Sequence, residues 1–188
     1  MFIRTERLFL RPGWAEDWRE IWEHMADEGL VRNLAQVPWP YTPEAARQFA
    51  TLEQDGRCPH FLATLPGADG TRLIGCVGLT RSPNGVELGY WIGRDHWNRG
   101  FATEAVRAVL SLARTLGHRQ IFAGHFLDNP ASARVLAKTG FRSTGQVEQR
   151  YSMARGELAP SALHAICLGE PSDCDDDRMS SSSIKRAA

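Results

Sequence analysis

Three short segments carry residue types that could do chemistry together. Glu87 stands inside Val86-Glu87-Leu88-Gly89-Tyr90-Trp91-Ile92, an otherwise apolar run. A carboxylate in such a strand is costly unless it is paired or functional. The second segment, Trp97-Asn98-Arg99-Gly100-Phe101, leads from that run into a helical pattern. A helix start offers unpaired N–H groups and the positive end of the dipole, and a glycine there lets backbone approach an anion closely. The third is Asn129-Pro130-Ala131-Ser132, followed by Lys138-Thr139-Gly140-Phe141. The loop at Gly100 has neither the Gly-Lys-Ser/Thr of a P-loop nor the spaced glycines of a dinucleotide fold. There is no Gly-x-Ser-x-Gly elbow, and Cys76 in an apolar strand reads as an inert thiol.

The elements that must position these segments follow from periodicity and turn chemistry. Residues 4–11 read as a first strand, with Leu8 and Leu10 alternating against polar neighbours and Pro12-Gly13 ending it. Trp14, Trp18, Ile21, Trp22 and Met25 recur at helical spacing and predict a helix over 15–27. That stripe reads as core packing; an acceptor pocket or a dimer contact is the alternative. Thr42 caps a second helix, with Pro43 at its first position, running to about residue 54. Strands follow over 60–65 and 72–80, with a bulge expected near Gly75 and Gly78. After the 86–92 strand come a helix over 102–116 ended by Gly117, a strand over 120–126 and a helix over 131–139 stopped by Gly140. Strands over 141–147 and 162–168 complete one α/β domain, residues 1–168, with 147–160 as a connection. The acidic and serine-rich stretch 169–188 reads as a disordered polar tail.

Composition removes several classes. The chain has 188 residues, and 22 Lys+Arg balance 22 Asp+Glu, so no polyanion partner such as nucleic acid is indicated. Cys58, Cys76, Cys167 and Cys174 are scattered without metal-ligand spacing, which argues against structural zinc and a disulfide scaffold. No apolar run approaches the ~20 residues that span a bilayer. Without a secretory apolar core at the start, the cytoplasm is the expected compartment.

The order of elements, Trp97-Asn98-Arg99-Gly100-Phe101-Ala102-Thr103-Glu104-Ala105, and Asn129-x-x-Ser132 to Gly140-Phe141 together resemble the GNAT acetyltransferase superfamily. Thr5-Glu6-Arg7-Leu8-x-Leu10-Arg11 and Pro38-Trp39-Pro40-Tyr41-Thr42 look like its Rim-type branch, the ribosomal-protein N-terminal acetyltransferases. The resemblance implies a single GNAT-like domain whose mixed, mostly antiparallel sheet is splayed at an acetyl-CoA site. It implies acetyl-CoA as cosubstrate, with no metal. Arg99, Gly100, Phe101, Ala102 and Thr103 would present N–H groups to the pyrophosphate, with Trp97 where the family has Gln or Arg. The backbone around Trp91, Ile92 and Arg94 would pair with the pantetheine arm, Asn129 and Ser132 would contact it, and Arg134 or Lys138 would reach the adenosine phosphate.

Acetyl transfer needs a neutral amine, a stabilised oxyanion and a proton for the leaving thiolate. The resemblance assigns Glu87 as general base through a water and Ser132 as acid, because the family's tyrosine falls at Leu136. A backbone N–H near Trp91 or Ile92 would serve the oxyanion. Tyr151 and His125 are substitute acids. The acceptor is a primary amine, on a protein N-terminus or a small molecule, and a homodimer is possible. The rival reading is a non-catalytic acyl-CoA-binding sensor or scaffold.

Overall fold

Strands that bury both faces in the middle of a sheet must be covered from both sides, and two helical layers do this here. The computed structural model describes residues 1–68 and 70–169. Its strands are β1 (Ile3–Arg4), β2 (Phe9–Arg11), β3 (His60–Gly67), β4 (Gly70–Ser82), β5 (Gly85–Ile92), β6 (Gln120–Phe126), β7 (Arg142–Ser152) and β8 (Glu157–Cys167). They form one eight-stranded sheet in the order β1-β2-β3-β4-β5-β6-β8-β7. Neighbours pair antiparallel except β5 and β6, which are parallel. The expected mixed, mostly antiparallel sheet is therefore present.

The helices are α1 (Trp18–Met25), α2 (Glu28–Val31), α3 (Pro43–Ala50), α4 (Phe101–Thr115) and α5 (Pro130–Lys138). One face of the sheet packs on α4 and α5 through Val106, Val109, Ala113 and Leu136. The other packs on α1 to α3, with Ile21, Met25, Val31, Ala46 and Ala50 against Leu62, Leu73 and Cys76. Period-two strands and period-3.6 helices each turn an apolar side to these cores. Among the described residues no helix is long and apolar enough to cross a membrane.

Several boundaries differ from expectation. Residues 4–11 are a tight hairpin rather than one strand: Ile3 pairs Leu10, the Thr5 amide donates to the Leu8 carbonyl, and the Leu8 amide donates to the Thr5 hydroxyl oxygen. Glu104 on α4 holds this turn, accepting from the Thr5 hydroxyl (2.6 Å), the Arg7 amide (2.7 Å) and the Arg7 guanidinium (2.7 Å). A contact 97 residues away in sequence leaves no local pattern. The second helix stops at Ala50, short of residue 54. The unexpected α2 is capped by Asp27, which accepts from the Leu30 amide. A register shift opposite Ala63 and Thr64 leaves Ile74 as the extra residue, next to Gly75 as expected. There a Cβ on Gly75 would lie 2.4 Å from the Trp91 carbonyl oxygen.

The largest difference is the end of the sheet. The expected connection over 147–160 is instead most of a long hairpin, with Val147 opposite Ala162 and Tyr151 opposite Leu158. Its apolar residues Val147, Tyr151 and Leu158 are exposed while Glu148 and Arg150 on the other face are half-buried, the reverse of the alternation that marks a half-buried strand. The tail expected over 169–188 lies, beyond Gly169, outside the described residues.

Glu104 should be a stability determinant. Burial raises its pKa, but the bonds from Thr5 and Arg7 outweigh that and hold the carboxyl below its ordinary value. With the folded pKa depressed, its contribution is fully present above the unfolded carboxylate range and is lost as pH falls through the folded value. Glu104→Gln should cost about 1–3 kcal/mol at neutral pH. Denaturant titrations of both proteins should converge as the solution is acidified through the carboxylate range.

Candidate active site

Where β5 ends, the chain makes a short turn and enters α4 through Gly100. Gly100 sits at φ 81°, ψ 0° and no side chain caps the helix. The first intrahelical bond runs from the Glu104 amide to the Gly100 carbonyl. The amides of Phe101, Ala102 and Thr103 therefore have no acceptor within the helix and point toward its open end. Trp97 secures the loop from behind, its indole N–H donating to the Ile92 carbonyl at 2.5 Å. Arg7 secures it from the side: it donates to the Arg99 carbonyl at 2.9 Å and lies 4.4 Å over the Phe101 ring. Beside this helix end lies a groove of about 630 Å³, lined by Thr5, Gly100, Thr103, Arg107 and Lys138 among others. Its cationic side chains and open amides suit a polyanion of small size.

The sheet is open beside that loop. β5 and β6 share the single register pair Glu87 with Phe122, and no ladder joins them beyond it. The Gly93 amide donates back to the Ile74 carbonyl on β4. Strand alternation then turns the backbone of Tyr90 and Ile92 toward the seam. With the Ile92 carbonyl held by Trp97, its N–H is the group left to meet a ligand there.

Across the seam stands the first turn of α5. Asn129 is the cap, its side-chain oxygen accepting from the Ser132 amide at 3.2 Å. Ser132 is thus free of the capping role, and its hydroxyl lies 2.7 Å from the Tyr90 hydroxyl. Burial pushes the Tyr90 phenol up to about 12, against a smaller lowering by Ser132. Tyr90 keeps its proton through the neutral range and is hydrogen-bonded to Ser132.

Glu87 lies on the opposite face, where Arg150 of β7 grips it. The two guanidinium nitrogens reach its two oxygens at 2.5 and 3.0 Å, and Arg150 also meets Glu148 at 3.3 Å. Nearby acids are engaged in the same way. Asp27 is bound by Arg94, which holds its carboxyl below the ordinary value. Asp128 receives both terminal nitrogens of Arg155 at 2.9 and 2.8 Å, with Arg32 at 3.0 Å. On this side Trp91 packs with Trp39 and Tyr41 at the α1–α3 core.

A family model described as the acetyltransferase (GNAT) domain matches residues 7–142. The chain belongs to the GNAT acetyltransferase family. It is 31% identical over 171 residues to the uncharacterized N-acetyltransferase YoaA of Bacillus subtilis (strain 168), covering 87% of this chain and 95% of that one. Among solved structures, the ribosomal-protein-S5-alanine acetyltransferase from Vibrio fischeri superposes with a TM-score of 0.73 at 20% identity, over 90% of this chain and 98% of that one. The microcin C7 self-immunity acetyltransferase MccE, solved with acetyl-CoA and AMP, gives a TM-score of 0.71 at 15% identity, over 87% of this chain and 93% of that one. At these identities the two structures speak to the fold alone.

In this GNAT domain the residues singled out from sequence fall into distinct groups. Arg99, Gly100, Phe101, Ala102 and Thr103 form the open helix end, and Ile92, Asn129 and Ser132 surround the seam. Lys138 lines the groove, whereas Arg134 is exposed outside its lining. The Arg94 side chain turns away to Asp27. Glu87, expected to be a base, has both oxygens on a guanidinium. Leu136 is fully buried core, and His125 bonds the adjacent Phe126 carbonyl at 3.2 Å. Tyr90, Arg7, Arg107 and Arg150 were missed. Tyr90 lay in plain view on the strand, on the face that turns toward α5, but only the fold shows what it reaches. Gly100→Ala would meet nothing closer than Arg7 Nη2 at 3.4 Å. Its effect is left-handed backbone strain, so thermal denaturation should register a loss of about 1 kcal/mol with unchanged circular dichroism.

Proposed function

We propose that this N-acetyltransferase uses acetyl-CoA to acetylate a primary amine, preferentially the α-amine of a protein or peptide, and that it works in the cytoplasm. The observation that carries the reading is the seam between β5 and β6, which runs from the open end of α4 to the Tyr90–Ser132 pair. A pyrophosphate fits the amides of residues 101–103, with Arg107 and Lys138 within the same groove for the remaining phosphate. The pantetheine arm fits the seam as an added strand against β5, reaching the free side of Asn129.

Chemistry then needs little from the protein. The amine nitrogen attacks the thioester carbonyl, and the oxyanion is met by a backbone N–H at Ile92. The C–S bond breaks, the thiolate takes the Ser132 proton, and the proton that the amine nitrogen gives up returns through water to Ser132. Tyr90, donating to Ser132, orients that hydroxyl; it is a positioning residue. Direct transfer is favoured over a covalent thioester on the enzyme, because burial pushes the Cys76 thiol up to about 12.

The acceptor preference comes from Glu87. A carboxylate whose two oxygens both accept from the Arg150 guanidinium is already engaged and poorly placed to meet an incoming amine. An enzyme without a strong base suits an acceptor that is already partly neutral. An α-amine has a pKa near ~8, against ~10.4 for a lysine-type amine. Among the described residues Asp27 and Asp128 are likewise bound by arginine rather than free to attract a polyamine.

Calorimetric titration with acetyl-CoA should show stoichiometric binding, and a peptide panel should release thiol with a rate that rises with pH to a plateau above ~8. Failure of a well-folded protein to bind would remove the donor assignment. Glu87→Gln should keep that pH profile and lose less than about tenfold in kcat/KM; a loss of ~100-fold or more would restore Glu87 as the base. Ser132→Ala should lower kcat roughly 100-fold with the KM for acetyl-CoA unchanged. Tyr90→Phe should lower kcat about tenfold, and the double variant should be no worse than Ser132→Ala alone, since residues acting through one another are not additive.

A further inference from the structure

The last strand of the sheet leaves a short open edge whose pattern is complementary to itself. Among the described residues nothing pairs with the outer edge of β7. The bulge between Ser143 and Val147 interrupts it at one end. At the other, Ser152 is fully buried and the Met153 amide donates to the Ala35 carbonyl. The free edge is therefore Val147 to Tyr151, with Gln149 at its middle. On one face stand Val147 and Tyr151, 57% and 55% exposed, with Leu158 at 60% directly across from Tyr151. Glu148 and Arg150 stand on the other. Open apolar edges of this kind are normally blunted unless they are used.

We infer that β7 pairs antiparallel with β7 of a second copy of this chain, about a two-fold axis through Gln149. Such an axis keeps each face of the sheet continuous, so it must pass through a residue rather than between two. An axis through Glu148 would set Glu148 against itself, and one through Arg150 would set Arg150 against itself. An axis through Gln149 sets Glu148 opposite Arg150 of the partner subunit, twice. It also sets Val147 opposite Tyr151 of the partner subunit, twice, with Leu158 flanking each pair. Cross-strand pairs of opposite charge and of aromatic with β-branched residues are the ones that stabilise a sheet. The join would extend the ion-pair chain Glu87–Arg150–Glu148 across the dimer. This inference does not depend on the acetyl-transfer reading.

Sedimentation equilibrium should find a dimer, and Gln149→Cys should oxidise to a disulfide-linked dimer that thiol reductant reverses. Val147→Cys alone should not cross-link, because its copies lie on opposite sides of the axis. A mixture of Val147→Cys and Tyr151→Cys should. Val147→Glu combined with Tyr151→Glu places like charges opposite one another and should give a monomer with unchanged circular dichroism. A monomeric wild-type protein would overturn the inference and leave the face to another protein or to the chain's own C-terminal segment. Cross-linking by Val147→Cys but not Gln149→Cys, or a dimer indifferent to the double glutamate variant, would overturn it equally.

Discussion

The site rests on a pairing the sheet declines to make. Once β5 and β6 have met at Glu87 and Phe122, their backbones part, and a parallel ladder that could have run several residues stops at one pair. Exposed backbone N–H and C=O groups inside a fold are costly unless something satisfies them. The surrounding residues answer that constraint one by one. Trp97 takes the Ile92 carbonyl, Asn129 takes the Ser132 amide, and Tyr90 and Ser132 satisfy each other across the gap. What remains unsatisfied is a line of donors from Ile92 to the amides of α4. That line is the feature on which the acetyl-CoA proposal rests.

Holding such a seam open requires rigid supports on either side, and arginine supplies many of them. Arg7 clamps the Gly100 loop to the first hairpin through Glu104, the Arg99 carbonyl and the Phe101 ring. Arg150 ties β7 to β5 through Glu87, bridging across β6 and β8 at the one pair where β5 and β6 meet. Arg155 and Arg32 fasten the turn of the last hairpin to Asp128, just before α5. These pairs are partly exposed, so each contributes modestly to stability. Their geometry matters more, because two-pronged guanidinium contacts fix orientation as well as distance.

Much of the framework was legible in the sequence because it is made of local signals. The strand over 120–126 and the helices begun by Thr42-Pro43 and Gly100 follow from alternation, capping and glycine conformations that act within a few residues. What escaped was everything set at a distance. The hairpin at residues 4–11 is a hairpin because Glu104 holds it, and the strand over 147–152 exposes its apolar side chains while half-burying its charged ones. Glu87 shows the same limit within the site. Sequence shows that a carboxylate in an apolar strand must be paired or functional, but its partner lies 63 residues away on a segment with no strand signal.

Leu136 and Tyr90 make the last point about how such a site is built. A helix position that is fully buried against the sheet cannot present a phenol to the seam, and here Leu136 fills that place in the core. A hydroxyl can still be aimed at the same gap from the strand side, and Tyr90 does so by reaching the first turn of α5. The two arrangements differ in physical consequence. A phenol at the reacting sulphur would donate directly, and its own pKa would enter the rate. Under the proposed acetyl transfer, a buried phenol behind a serine keeps its proton and aims the serine hydroxyl. With both oxygens of Glu87 already held by Arg150, that proposal lays the demand on proton chemistry on the acceptor amine.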